Sequence, residues 1–216
     1  MGFLFQIFTI LLSIPAIFLV LHSIIRIVRS FYKFPMPHWM SDLIDNPLRR
    51  KIQPPSETAT RHEIEEGMRV LEIGPGNGTY TIEASKRVGS EGEIFTIDIE
   101  PKIIERLKRR LAKKKITNTH PRVANVYDLP FESESFDLVF MITVINELPD
   151  IPRALLEFKR VLKSSGKLAL SELLFDPDYP LSSNLIKKVQ SDGFQLVAKK
   201  GNFLFYTLVF EKASEG

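Results

Sequence analysis

From residue 68 onward the chain alternates between short apolar runs and segments whose apolar residues recur every third or fourth position. MRVLEIG (68–74), EIFTID (93–98), PRVANV (121–126), FDLVFMI (136–142) and KLALSE (167–172) are too short for core helices and are bounded by turn residues, so they read as buried strands. Between them lie helical patterns at 80–88, at 103–115 with Ile103, Leu107 and Leu111 on one stripe, at 151–162 and at 185–191. A further helix is expected over 57–66, capped by Ser56 and stopped by Gly67. Residues 194–199 and 203–211 read as a closing pair of strands. Strands alternating with helices of this length predict an α/β fold: a doubly wound, mostly parallel sheet covered on both faces.

The first 25 residues follow neither pattern. Eighteen of them are apolar and none is charged, although the chain carries Lys+Arg 29 and Asp+Glu 26. Twenty-odd uncharged residues rising about 1.5 Å each match the roughly 30 Å hydrocarbon core of a bilayer. No basic residue precedes the run and no small-residue cleavage site follows it, which separates it from a secretory signal. Arg26, Arg29 and Lys33, then Arg49, Arg50 and Lys51, follow it, an asymmetry that places the remainder of the chain on the cytoplasmic side. Pro15 would kink such a helix, so a spanning segment and a bent, in-plane anchor both fit. Residues 30–55, with Pro35, Pro37, Pro47, Pro54 and Pro55 among basic and aromatic residues, read as a semi-rigid juxtamembrane connector. The expected organisation is an anchor over 1–29, a linker over 30–55 and one catalytic-sized domain over 56–216.

Composition narrows the chemistry. The chain has no cysteine, which removes disulfides, thiolate metal sites and thiol catalysis. Its four histidines, His22, His38, His62 and His120, show no metal-ligand spacing, so no metal is expected. ERLKRRLAKKK (105–115) holds seven basic residues and no aromatic one; without base-stacking residues it reads as a solvated helix face with some attraction to anionic membrane lipids, not as a nucleic-acid site.

The chemistry concentrates in VLEIGPGNGTYT (70–81), where a strand runs into Gly74-Pro75-Gly76-Asn77-Gly78 and then a helix. Glycines let the backbone approach a ligand, and the helix N-terminus offers unpaired N–H groups. Dinucleotide sites use G-x-G-x-x-G; here the spacing is G-x-G-x-G, with Thr79 where the last glycine would stand, which disfavours an NAD-dependent oxidoreductase. Glu72, two residues before the loop, suits a cationic ligand. Asp98, at the end of the second strand, suits a pair of ribose hydroxyls. An adenosine ligand bearing a positive charge points to S-adenosylmethionine.

These motifs resemble the class I S-adenosylmethionine-dependent methyltransferases, in the branch similar to ubiquinone/menaquinone-biosynthesis methyltransferases, over roughly residues 56–211. VLEIGPGNGTYT looks like that family's first motif, IFTIDIEP its second, VANVYDLPFESESFDLVFMITVINELPD its third and fourth, and RVLKSSGKLALSE its fifth. The resemblance implies a seven-stranded sheet with the last strand antiparallel. It also implies that Glu72, Gly74, Pro75, Gly76 and Gly78 hold the methionine end of the donor, Asp98 the ribose, and Ile99, Asn125 and Val126 the adenine. The family usually has Gly-Asp-Ala where this chain has Ala124-Asn125-Val126, and relatives carry His where it has Asn146.

Methyl transfer from a sulfonium requires alignment and water exclusion first, and a base only where the acceptor must lose a proton. Asn146 and Glu172, after strands four and five, are the candidates for touching donor or acceptor, with Glu147, Asp176 and Tyr179 in the same loops and Tyr206 on the final strands as further candidates. With no cap domain visible, residues 30–66 are the only other segment able to cover the pocket; since that segment begins at the membrane, the expected acceptor is small and lipophilic (a lipid, quinone precursor or hydrophobic thiol) and arrives from the bilayer. A non-catalytic, membrane-tethered module that binds the same nucleoside and recruits a partner is the alternative.

Overall fold

The computed structural model describes residues 45–213, the helical stretch 23–28 and isolated positions before it (2, 6, 9, 13, 17 and 20). Most of the expected anchor over 1–29, and positions 30–44 of the expected linker, lie outside the described residues. Among the described residues no helix is long and apolar enough to cross a membrane.

The elements run α1 (Pro47–Ile52), α2 (Pro55–Arg61), β1 (Arg69–Ile73), α3 (Thr79–Val88), β2 (Glu93–Asp98), α4 (Pro101–Lys114), β3 (Thr119–Val123), β4 (Phe136–Ile142), a 3-10 turn (Ile145–Glu147), α5 (Ile151–Val161), β5 (Leu162–Leu173), α6 (Ser182–Ser191), β6 (Phe194–Gly201) and β7 (Phe205–Lys212). One seven-stranded sheet forms, in the order β3-β2-β1-β4-β5-β7-β6. The first five strands are mutually parallel, and β7 pairs antiparallel with both β5 and β6. The order reverses between β1 and β4, which opens a crevice at their carboxyl ends.

Strand parity divides the core. Leu138 and Phe140 of β4 join one cluster with Ala59, Ala84 and Val88 of α2 and α3, while Val139 and Met141 join the other with Leu155, Phe158 and Leu185 of α5 and α6. In α5 the buried positions Ile151, Ala154, Leu155, Phe158 and Val161 fall on one stripe, and Asp150 caps the helix by accepting from the Arg153 N–H at 3.1 Å. Truncating a fully buried side chain such as Phe158 to alanine costs about 3–5 kcal/mol.

Three expectations need correction. The helix expected over 57–66 ends at Arg61, because Glu63 adopts a left-handed backbone (φ 60) and its carboxylate meets Lys167 at 2.7 Å and Lys200 at 2.6 Å. Its first turn is preceded by Pro54, and Ser56 lies inside the helix rather than capping it. The strand expected over 121–126 is β3, which starts two residues earlier and shares only 121–123 with that span: pairing ends at Val123, so Ala124, Asn125 and Val126 form a loop, and Pro121 is tolerated because β3 is an edge strand. The linker is not all connector either, since its last residues fold as α1 and the start of α2.

Candidate active site

Glu72 interrupts an otherwise apolar strand and is only 3% exposed. By register it shares a sheet face with Phe140 and Ala169, toward α2 and α3. Its Oε2 has no hydrogen-bond partner among the described residues. Burial raises its carboxyl to about 7, with the Thr81 and Thr96 hydroxyls opposing the shift and Asp98 adding to it. A buried acid left in this state is matched to a positive charge that the chain itself does not supply.

The glycine loop follows. Gly78 begins α3 with a left-handed backbone (φ 82), and a Cβ there would lie 2.3 Å from Leu107 Cδ1, so α4 packs against it directly. Gly76 is also left-handed (φ 56), yet a Cβ there meets nothing within 4 Å. That empty space belongs to a cavity of about 420 Å³, lined by Glu72, Gly74, Pro75, Gly76, Asp98, Ile99, Asn125 and Val126 among others. Eight of the nine residues expected to bind the donor are thus brought together; Gly78 serves by packing instead. Asp98 accepts from the Glu100 N–H at 2.9 Å, and burial raises its carboxyl to about 6 against that bond. Ile99 stands 57% exposed at the rim. Asn125 spends one lone pair of Oδ1 on the Tyr127 N–H at 3.0 Å, which leaves its amide free to face the cavity.

The two expected catalytic residues lie beside the cavity wall, where Glu172 feels the charges of Glu147 and Arg49. Neither Asn146 nor Glu172 lines the cavity. Register places Ser171 on the sheet face of Ala169 and Glu72, so Glu172 projects from the opposite face. It is 2% exposed with an unpartnered Oε1, and Asn146 Nδ2 is likewise buried and unpartnered. Burial drives the Glu172 carboxyl well above the usual range; Asp176, Glu147 and Asp178 add to this and Arg49 opposes it.

The segment 30–66, expected to cover the pocket, does supply its roof, but sequence reasoning named none of the residues that form it as site residues. Asp45 lines the cavity and accepts hydrogen bonds from Asn77 Nδ2 and Thr79 Oγ1 of the glycine loop, and from Arg50 at 2.9 Å. Burial alone would raise Asp45, but these bonds outweigh it and hold the carboxyl below the ordinary range. Arg49, also in the lining, donates to Thr143 Oγ1 at 3.1 Å and to Gln53 Oε1 at 3.3 Å. Thr143 itself has a left-handed backbone (φ 56) just past β4, and Glu147 of the 3-10 turn completes this wall. The available signal was Asn46-Pro47: Asn46 accepts from the Arg49 N–H at 3.0 Å with proline following, an ordinary helix start inside the supposed linker. Among the described residues no group of three His, Asp or Glu side chains is placed to hold a metal ion.

A family model described as a methyltransferase domain matches residues 64–210. The 2-phytyl-1,4-naphtoquinone methyltransferase of Trichormus variabilis is 36% identical over 102 residues, covering 46% of this chain and 44% of that protein. The ubiquinone/menaquinone biosynthesis C-methyltransferase of Idiomarina loihiensis is 30% identical over 139 residues, covering 64% and 54%. The chain thus spans about half the length of the curated relatives it matches. Among solved structures, a SAM-dependent methyltransferase from Aquifex aeolicus superposes with a TM-score of 0.75 at 21% identity, covering 82% of this chain and 98% of that one, a likeness of fold.

Proposed function

The chain belongs to the methyltransferase-domain family that matches residues 64–210, and from that premise we propose that it is an S-adenosylmethionine-dependent methyltransferase acting on a small lipophilic acceptor, with a quinone-type ring as the first candidate, while held at the cytoplasmic face of a membrane by its N-terminal segment. The observation that carries the donor assignment is Glu72: a buried carboxyl with an orphaned oxygen, in a cavity whose one glycine with open Cβ space is Gly76. The acceptor class draws support from the names of the quinone-related relatives. The anchor draws support from the uncharged run before Arg26.

When bound, the donor supplies a sulfonium-activated methyl group for in-line displacement. The chain's own residues align and enclose it. Glu72 would receive the ammonium and balance the positive sulfur, Asp98 would accept from the ribose hydroxyls, and Ile99 and Val126 would hold the adenine. The strut from Asp45 to Asn77 and Thr79 closes α1 over the loop, which keeps water from the reacting centre. Glu147 and Arg49 are the charged groups of the remaining wall, so either can act on an acceptor proton or anion.

The test is transfer of labelled methyl from S-adenosylmethionine to demethylated quinones, lipids and alkyl thiols, using the full chain in vesicles. Label in the quinone fraction, lost in Glu72→Gln, supports the proposal. Donor binding with no transfer to any of the three classes would leave a binding module and defeat the enzymatic reading.

A further inference from the structure

Two loops at the carboxyl edge of the sheet expose large apolar side chains where polar turn residues are the rule. The loop after β5 carries Phe175 (51% exposed) and Leu181 (54%), and the β6–β7 turn carries Phe203 (61%) and Leu204 (45%). These are not frayed ends. Tyr179 OH donates to the Phe203 carbonyl at 2.6 Å, with the two rings edge to face at 5.9 Å, and the Leu174 N–H donates to the Leu204 carbonyl at 2.9 Å. Asn202 Oδ1 accepts from the N–H groups of both Leu204 and Phe205, so the turn is built to present Phe203 and Leu204 outward.

The level of this patch is set by one further contact. Arg26 Nη2 donates to the Tyr179 carbonyl at 3.2 Å. Arg26 is the first charged side chain after 25 uncharged positions and sits in the helical stretch 23–28, where Ile24, Ile25, Ile27 and Val28 are exposed. An arginine in that position lies at the headgroup boundary when the run before it is in lipid. The loop it touches lies at the same level.

We propose that Phe175, Leu181, Phe203 and Leu204 form a second membrane contact, inserting into the headgroup and upper acyl region of a phospholipid bilayer beside the anchor. The inference rests on the anchor proposed above and goes beyond it. A tether alone leaves the domain free to tumble at the surface, whereas this wedge fixes the carboxyl edge of the sheet, which bears the cavity, against the lipid. The occupant is lipid because the Arg26–Tyr179 bond sets the exposed apolar stretch 23–28 beside the loop that carries Phe175 and Leu181, and no element among the described residues covers the two loops.

The experiment uses the full chain reconstituted in phosphatidylcholine–phosphatidylglycerol vesicles. Trp39→Phe removes the only native tryptophan. Phe203→Trp and, separately, Leu181→Trp then report on the patch. The expected result is blue-shifted emission that is quenched most strongly by lipids brominated near the top of the acyl chain, with the S-adenosylhomocysteine melting shift intact. Water-like, unquenched emission from both reporters in protein that sediments with the vesicles and still binds S-adenosylhomocysteine overturns the inference alone. Blue-shifted but unquenched emission means protein covers the patch, and also overturns it. Failure to sediment with vesicles removes the anchor and this inference with it, and loss of the S-adenosylhomocysteine shift in the unsubstituted chain is the separate mark against the donor site.

Discussion

Replacing Glu72 with glutamine tests the donor site through the free protein. The native state binds the Glu72 proton more tightly than the unfolded chain, since the carboxyl titrates near 7 instead of 4.5. Stability therefore falls as pH rises between those values, and above about 7 the full cost, about 3 kcal/mol, is present. Glu72→Gln cannot ionise, so its stability relative to the parent should climb with pH by up to that amount. At about 2–4 °C per kcal/mol for a chain of this size, the gap in Tm should widen by roughly 6–12 °C from acid to mildly alkaline buffer. The same substitution removes the charge that meets the ligand's cation, so stabilisation by S-adenosylhomocysteine should shrink sharply. The assay is thermal melting of both proteins across that pH range, with and without S-adenosylhomocysteine. Parallel pH profiles would show that Glu72 is not the strained acid described here, and an undiminished ligand shift in the variant would refute its role in binding.

Gly76→Ala and Gly78→Ala should separate binding from stability. The first places a methyl in the open cavity, so it should weaken S-adenosylhomocysteine binding measured by calorimetry at a fold cost of about 1 kcal/mol; the second drives a Cβ to within 2.3 Å of Leu107 and should lower stability in denaturant by about 1–3 kcal/mol. Arg49 lines the cavity and spends its hydrogen bonds on Gln53 and Thr143, with Glu172 acting on it only through space. If it meets the donor's carboxylate, Arg49→Gln should weaken S-adenosylhomocysteine about tenfold or more and leave 5′-methylthioadenosine, which lacks the amino-acid end, unchanged. Equal loss for both ligands would refute that role. His62 is buried against Phe140, with Nε2 2.7 Å from Ser171 Oγ, and burial lowers its pKa to about 3. It is held neutral while the unfolded chain protonates near 6.5, so stability should fall by about 2 kcal/mol from pH 7 to pH 5 on its account. His62→Leu should flatten that acid limb in urea titrations.

The donor half of the site was legible because its parts end consecutive strands. Glu72 to Gly76, Asp98 and Ile99, and Asn125 and Val126 each follow a run whose apolar period marks a strand, and a parallel sheet brings all their carboxyl ends to one edge whatever the details of pairing. Even a strand placed too late, as with 121–126, left its last residues at that edge. What the sequence did not show has a common cause in side-chain parity and long-range contact. Glu172 is at the correct end of β5, but the register of β4 with β5 turns it to the face away from Glu72, and a single residue of slip would have reversed that. Local sequence carries no record of which way such a strand is phased when both faces are buried.

The covering segment was legible as residues 30–66, but the residues that hold it down were hidden for a different reason. Asp45 reaches Asn77 and Thr79 across more than thirty positions, and Arg49 reaches Thr143 across 94. No period or motif announces these bonds, whose only trace is the Asn46-Pro47 helix start. They nevertheless attach the chain emerging from the apolar N-terminus to both strand ends that flank the crevice. Arg26 on the Tyr179 carbonyl makes a third such attachment. The segment between the apolar run and β1 thus bears on the cavity wall, the glycine loop and the loop after β5 together.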